Sequence, residues 1–178
     1  SRVEIESILQ SGVGGHLERL EKDYSLITQY RPFNAKPGSR SVKYKLDDPF
    51  LAFWFAFFYR YRSAMESSNI QYLKDRYQEQ YSQFAGYWLE RLFADIYMQS
   101  GVYNRVGSYW ESGFTNEIDL VAVNDAAKLM VLAEVKLQKK NIRKEQLVHK
   151  ASKLRVQYPD YKFEYRYLSL EDLGKSYQ

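Results

Sequence analysis

The chain has 178 residues, enough for one large domain or two small ones with a buried core. It contains no cysteine, which excludes disulfides, thiol nucleophiles and cysteine zinc sites, and we expect a reducing cytoplasmic location. The net charge of +4 and the pI near 9.0 favour a polyanionic partner without establishing one. The 17 tyrosines are typical of domain seams and binding surfaces, because a tyrosine buries its ring and keeps a polar tip in water.

The first part of the chain has the pattern of a winged helix-turn-helix. Two short helical patterns flank the breaker SGVGG, and two β-like stretches, LITQYRPF and SVKYKL, flank a loop that contains Pro37 and Gly38. The second helix carries three acids against two bases, which favours packing or partner docking over DNA reading. The predicted wing is more basic, with Arg31, Lys36, Arg40, Lys43 and Lys45.

An aromatic helix follows this segment. Asp48 is a plausible N-cap and Pro49 fits the first turn, where its missing N–H costs nothing. The run PFLAFWFAFFY is shorter than the roughly 18 to 20 residues of a membrane span and apolar on all sides, so we expect a buried helix and no membrane contact. We predict a winged-helix domain with this helix at residues 1–62, a linker at 63–76 and a second domain at 77–178.

The second domain has the predicted order α-β-β-β-α-β, a small mixed sheet with a helix on each side. Its strands are expected in VYNRVGSYWES, in the hairpin NEIDLVAVNDAAKLMVLAEVKLQ and in YKFEYRYLSL, with a helix in KKNIRKEQLVHKASKLRVQYP. The fold class of the whole chain is therefore α/β, of the mixed α+β kind. The predicted apolar stripe of the first helix is Phe84, Trp88, Leu92 and Ile96, widened by Leu89 and Phe93.

Four ionisable residues lie in the hairpin: Glu117, Asp119, Glu134 and Lys136. Side chains alternate along a strand, so pairing of the two strands would bring all four to one end of the sheet. Two neighbouring carboxylates need a cation between them, and Mg²⁺ or Mn²⁺ takes such oxygen ligands. A lysine beside the metal can orient or deprotonate an attacking water. The alternative is a surface ladder of opposite charges, worth roughly 0.2–1 kcal/mol per pair.

Two neighbouring features favour the chemical interpretation. Glu90, on the preceding helix at the margin of the apolar stripe, is a candidate auxiliary acid, although it can equally be an exposed glutamate beside Arg91. The stretch after Lys136 is basic and suits a phosphate backbone, although it can also be a solvated helix face. Its basic residues are Lys139, Lys140, Arg143 and Lys144, which we predict to bind nucleic acid, and Lys150, Lys153 and Arg155.

The order of Glu90, Asp119 in EIDLVAV and EVK at Glu134–Lys136 resembles the PD-(D/E)XK nuclease pattern. With KYKLDDPFLAFWFAFFY, the set resembles the C-terminal region of prokaryotic archaeal-type P-loop ATPases, over nearly the whole chain. The resemblance implies a winged helix and a restriction-endonuclease-like domain that processes DNA. It implies Asp119 and Glu134 as ligands of Mg²⁺ or Mn²⁺, Lys136 as the residue that positions or activates water, Glu90 as an auxiliary acid and a polar site residue at Gln146.

The ATPase portion that this resemblance implies is absent here, because the chain contains no G-x-x-x-x-G-K-[ST] motif. The chain also begins without methionine, so we expect a fragment of a longer protein and no ATPase activity. The dipeptide PD of the nuclease pattern is replaced by ID. With two histidines, His16 and His149, and no cysteine, zinc and serine–histidine catalysis are poorly supported.

Three interpretations stay open at this point. The first is a metal-dependent deoxyribonuclease domain. The second is an inactive module that binds DNA or protein and docks on the ATPase domain, with an oligomer possible. The third is a plain transcription regulator, which leaves the Glu134, Val135 and Lys136 motif without a role.

Overall fold

The computed structural model describes residues 1–36, 38, 42–111 and 115–174. The chain divides into two compact units, Ser1–Arg31 with Ala35–Phe84 and Pro32–Asn34 with Ala85–Gln178. Helices and two small sheets make it a mixed α+β protein, as predicted. Pro37 and Arg40 of the predicted wing lie outside the described residues.

The first unit begins with two helices and a two-stranded antiparallel sheet, in the predicted order. Their shared core consists of Val13, Leu17 and Ile27. The charges of the second helix largely pair on its own surface, with Lys22 Nζ 2.7 Å from Glu18 Oε1, so this helix presents little free positive charge. The elements are α1 (Arg2–Leu9), α2 (Gly14–Lys22), β1 (Ile27–Tyr30) and β2 (Lys43–Leu46), with Ile27 opposite Leu46.

The aromatic helix α3 (Pro49–Phe57) begins where the sequence predicts it. The Asp48 carboxylate accepts a hydrogen bond of 2.7 Å from the Leu51 amide, which confirms the N-cap. The expectation of a wholly buried helix is wrong, since Phe57 is the buried residue of α3 while the side chain of Phe50 is 69% exposed. The rings of Tyr77 and Phe84 contact Phe53 and Phe57, which lie one turn apart on the same face of α3. None of the described helices is long and apolar enough to span a bilayer.

A single long helix, α5 (Ile70–Gln99), includes the second half of the predicted linker 63–76. A short 3₁₀ turn (Tyr59–Tyr61) and α4 (Arg62–Glu66) precede it. The Asn69 side chain accepts a hydrogen bond of 3.2 Å from the Tyr72 amide and so caps the start of the helix, inside the stretch predicted as a linker. The two units divide within this helix, between Phe84 and Ala85.

The buried stripe of α5 differs from the predicted one. Leu89, Phe93 and Tyr97 are buried, whereas Leu92 is 44% exposed. Phe84 instead meets the rings of α3, 5.2 Å from Phe57. Phe84, the first residue of the predicted stripe, therefore packs in the first unit, and Leu89, Phe93 and Tyr97 pack in the second.

The second unit is built on a four-stranded sheet in the order β3-β4-β5-β6. The first three strands are antiparallel and β6 runs parallel to β5, which requires a crossover through helices. The predicted α-β-β-β-α-β order is present, except that the last helix is split at Ala151. The elements are β3 (Arg105–Tyr109), β4 (Ile118–Asn124), β5 (Leu129–Val135), a 3₁₀ turn (Lys139–Asn141), α6 (Lys144–Lys150), α7 (Ser152–Gln157), β6 (Lys162–Leu168) and a closing 3₁₀ turn (Leu170–Asp172).

Each face of this sheet packs against different helices. The α5 stripe covers one face, which includes Ala133 and Val135, and α6 and α7 cover the other, which includes Met130 and Leu132. Because side chains alternate along β5, Glu134 belongs to the face that α6 and α7 cover. The central strands are almost fully buried, so their register is firmly set.

Candidate functional site

A β-bulge positions the first site residue. Val121 of β4 lies opposite Gly107 of β3, but Ile118 lies opposite Tyr109, so β4 takes three steps where β3 takes two. Asp119 and Leu120 of β4 therefore lie opposite the single residue Ser108 of β3. A bulge bends the strand and redirects its side chains, and bulges are frequent next to active sites.

Two carboxylates and two lysines meet beside this bulge, and we call them the carboxylate cluster: Asp119, Glu134, Lys136 and Lys150. Lys136 Nζ lies 3.0 Å from Asp119 Oδ2 and 3.0 Å from Glu134 Oε1. Lys150 Nζ lies 3.0 Å from the other oxygen of Glu134. The Asp119 carboxylate also accepts a hydrogen bond of 2.8 Å from the Val135 amide. The predicted meeting of Asp119, Glu134 and Lys136 at one end of the hairpin is therefore present.

Burial sets the electrostatics of the cluster. The Asp119 and Glu134 side chains are 9% and 10% exposed, and the Lys136 side chain is 36% exposed. Burial raises the pKa of Asp119 above its ordinary value, because the nearby lysine offsets only part of the desolvation and Glu134 adds repulsion. Burial lowers the pKa of Lys136, but the two carboxylates outweigh it and leave that pKa raised. Lys136 is therefore an ammonium group at neutral pH.

A second carboxylate–lysine pair lies on the same side of the sheet. Glu111, just after β3, is 11% exposed, pairs with Lys153 of α7 and accepts a hydrogen bond of 3.1 Å from the Tyr109 hydroxyl. The Lys153 ammonium holds the pKa of Glu111 below its usual range, and burial raises the pKa of Tyr109 to about 12. No sequence pattern indicates this pair, since 42 residues separate its members.

A cleft of about 360 Å³ adjoins the carboxylate cluster through Lys150. Gln146, the polar residue implied by the nuclease resemblance, lies in its wall. The sequence marked Lys150 only as one of many basic residues, and the contact with Glu134 could not be read from a helix pattern. The lining residues are Asn116, Glu145, Gln146, His149 and Lys150.

The predicted nucleic-acid-binding residues have different surroundings. Lys139 Nζ lies 3.4 Å from the buried Asp172 carboxylate. Lys144 Nζ lies 5.4 Å from the centroid of the Tyr167 ring. Lys140 and Arg143 are exposed beside them. Residues 139–155 contain seven basic residues and one acid, more net positive charge than the +4 of the whole chain.

The other predicted site residues lie outside the carboxylate cluster as its contacts define it. Glu117 comes just before β4 and is exposed, so it is not part of the strand as predicted. Glu90 is half-buried on α5, the helix that covers the opposite face of the sheet. The described residues contain no group of three or more acids, histidines or cysteines arranged to hold a metal ion.

The fold and this cluster define a mixed α/β protein with a paired-carboxylate site beside a small mixed sheet. Residues 54–150 match DUF234, described as archaeal and bacterial proteins of unknown function, and the chain belongs to that family. It is also 27% identical over 123 residues to the uncharacterized protein MJECL04 of Methanocaldococcus jannaschii. That match covers 64% of this chain and 27% of the archaeal protein, so the chain spans about a quarter of that relative's length. No solved structure matches the chain.

Proposed function

We propose that the second unit is a divalent-metal-dependent DNA-processing domain of the PD-(D/E)XK nuclease type. The observation that carries the proposal is the convergence of two nearly buried carboxylates, Asp119 and Glu134, on one ammonium group 3.0 Å from each. Two buried carboxylates that share one ammonium group need positive charge beside them. A site of two carboxylate ligands completed by water suits Mg²⁺ or Mn²⁺. The order of the six elements and the bulge at Asp119 also support it.

The residues of the cluster fit such a metal. Asp119 and Glu134 would hold the ion, which supplies a bound water of lowered pKa and charge for a phosphate oxygen. Only two acids meet here among the described residues, so water molecules would fill the remaining positions. Lys136, whose ammonium group lies 3.0 Å from both carboxylates, would position or activate the attacking water.

The surroundings of the cluster favour nucleic acid as the substrate. The basic residues of 139–155 follow directly on Lys136 in the chain and include α6, which borders the cluster through Lys150. Positive charge of this density binds a phosphate backbone by releasing its counterions. We propose that the first unit is a winged helix that docks on a protein partner. Its helix α2 has less free positive charge than the segment 139–155, because Lys22 pairs with Glu18. We propose as its partner an N-terminal P-loop ATPase portion, for which the greater length of the archaeal relative leaves room.

A metal-free binding module is the second candidate, and one observation favours it. Lys136 and Lys150 already neutralise both carboxylates, so the cluster is balanced without any metal ion. In this case the domain grips DNA or protein, and the cluster serves only to fasten α6 to the sheet.

Calorimetric titration of Mn²⁺ into the protein with a short DNA duplex present separates the two candidates. The wild type is expected to bind Mn²⁺, and Asp119→Asn is expected to lose that binding, because the substitution removes an anionic ligand without changing its shape. Asp125→Asn, which alters an aspartate in the turn of the same hairpin, is the matched control and should bind as the wild type does. Equal binding by all three proteins, or none by any, would refute the nuclease assignment and leave the binding module.

A further inference from the structure

The cleft beside the carboxylate cluster has the chemistry of an anion site. Its volume of about 360 Å³ is enough for a phosphate group with part of a nucleotide. Its lining residues include Asn116, Gln146, His149 and Lys150, whose side chains carry hydrogen-bond donors. The Asn116 side chain already makes a hydrogen bond to Glu111. The single acid among the lining residues is the exposed Glu145.

Lys150 belongs to both the cleft and the cluster. Its ammonium group lies 3.0 Å from Glu134 Oε2, and its side chain is 22% exposed, so it keeps access to the cleft. Glu134 is thus held twice, since its other oxygen contacts Lys136. Asp119 has Lys136 and the Val135 amide as partners. With two carboxylates and two ammonium groups, the cluster carries no net charge before any ligand binds.

A divalent cation on Asp119 and Glu134 would upset this balance and repel both lysines. Lys136 follows directly on β5 and is fixed by two carboxylates, whereas Lys150 ends α6 and has a flexible four-carbon stem that already borders the cleft. Lys150 is therefore the group that can turn away from Glu134. A displaced Lys150 ammonium group would be stabilised by an anion in the cleft, because the cleft adjoins its side chain.

We propose that this cleft is a phosphate-binding subsite for a nucleic-acid backbone, with Lys150 as its cation and Glu134 as the counter-ion that holds Lys150 in the absence of ligand. The inference rests on the proposed function for the identity of the ligand. It adds a substrate-binding residue on α6 and explains why Glu134 carries a second lysine. The nearby Lys144 and Arg143 extend the positive surface from the subsite along the same segment.

The test releases Lys150 without using any metal. Binding of a labelled 20-base-pair DNA duplex is measured in EDTA over a range of salt concentrations. Glu134→Gln removes the counter-ion, so we expect tighter binding and a steeper salt dependence, by about 0.9 in the slope of log K against log salt for one added phosphate contact. Lys150→Met added to Glu134→Gln should abolish this gain, whereas Lys150→Arg should preserve it. Lys150→Met alone should bind the duplex more weakly than the wild type, with a shallower salt dependence, because it removes the cation of the subsite.

Glu164→Gln is the matched control, because it removes the same charge and releases Lys162 and Arg166 on β6. Any gain from this change should survive addition of Lys150→Met, since neither Lys162 nor Arg166 is among the lining residues of the cleft. The proposal is overturned if Glu134→Gln gives no gain, or if its gain persists in the Lys150→Met background. Should Glu134→Gln fail to give the wild-type circular dichroism spectrum, Glu134→Ala releases the same lysine and replaces it.

The outcome is independent of the Mn²⁺ titration. Coupling between Glu134 and Lys150 without Mn²⁺ binding would retain the phosphate subsite and reject the nuclease. Mn²⁺ binding without that coupling would retain the nuclease and reject the subsite.

Discussion

Replacement of Lys136 by methionine tests whether the carboxylate cluster stabilises the fold as its geometry implies. Methionine keeps an unbranched side chain, one atom shorter, but removes the charge that lies 3.0 Å from both Asp119 and Glu134. Lys150 still compensates Glu134, so Asp119 loses its ammonium partner. We expect Lys136→Met to lower the free energy of unfolding.

The magnitude follows from distance and burial. At 3.0 Å and an effective dielectric constant of about 20, each contact has a Coulomb energy of about 5.5 kcal/mol, most of which offsets the desolvation of the charges. Removal of one partner from a buried pair costs about 3–5 kcal/mol. Since the Lys136 side chain is 36% exposed, water screens part of this, and we expect a loss of about 2 kcal/mol. In a chain of this size the midpoint of thermal unfolding falls by about 4–8 °C.

Thermal unfolding followed by circular dichroism measures the effect, and two further variants locate its cause. The double variant Asp119→Asn with Lys136→Met should recover at least half of the loss, because no unpaired charge stays buried. Lys162→Met is the control, since Lys162 makes an ion pair of the same length to Glu164 but is 75% exposed, and its cost should stay below about 0.5 kcal/mol. A double variant that is as unstable as the sum of its single changes would refute the reasoning.

The pH dependence of the stability lost in Lys136→Met tests whether the unpaired charge of Asp119 causes that loss. The pKa of Asp119 is raised in the folded protein, so its ionised form disfavours folding and its protonated form does not. Loss of Lys136 should raise this pKa further. The deficit of Lys136→Met is therefore expected to be largest at neutral pH and to shrink as the pH falls through the pKa of Asp119. A deficit that is constant from neutral to acidic pH would show that lost packing, not charge, is responsible.

Two other predictions concern parts of the fold away from the cluster. The pKa of Asp125 is held below its ordinary value of 3.8 by hydrogen bonds from Arg105, Asn104 and Tyr161, so its contribution to stability is present above that value and lost as the pH falls through the lowered pKa. Asp125→Asn should therefore destabilise the protein near neutral pH and have progressively less effect below about pH 4, as measured by urea unfolding at several pH values; an effect independent of pH would contradict this. Asp48→Ala should cost about 1 kcal/mol through loss of the N-cap of α3, visible as a lower thermal midpoint, whereas an unchanged midpoint would show that the cap contributes nothing.

Local rules predicted much of the fold. Periodicity and breakers indicated the helix and strand order of both units, and the N-cap at Asp48 was readable because a cap depends on residues three apart. The meeting of Asp119, Glu134 and Lys136 was also predictable, since a hairpin fixes which residues face each other. The start of α5 was missed because Asn69 caps a helix whose first turns are polar.

The sequence by itself determined the order of the helices and strands, and which charged residues lie on the hairpin. Only the tertiary structure decided which apolar stripe of α5 is buried and which side of α3 is covered, because each helix offers more apolar surface than its unit uses. The pairs of Lys150 with Glu134 and of Lys153 with Glu111 were likewise beyond the sequence. Their members are 16 and 42 residues apart, and contacts across such separations depend on strand register and helix packing, which no local pattern encodes.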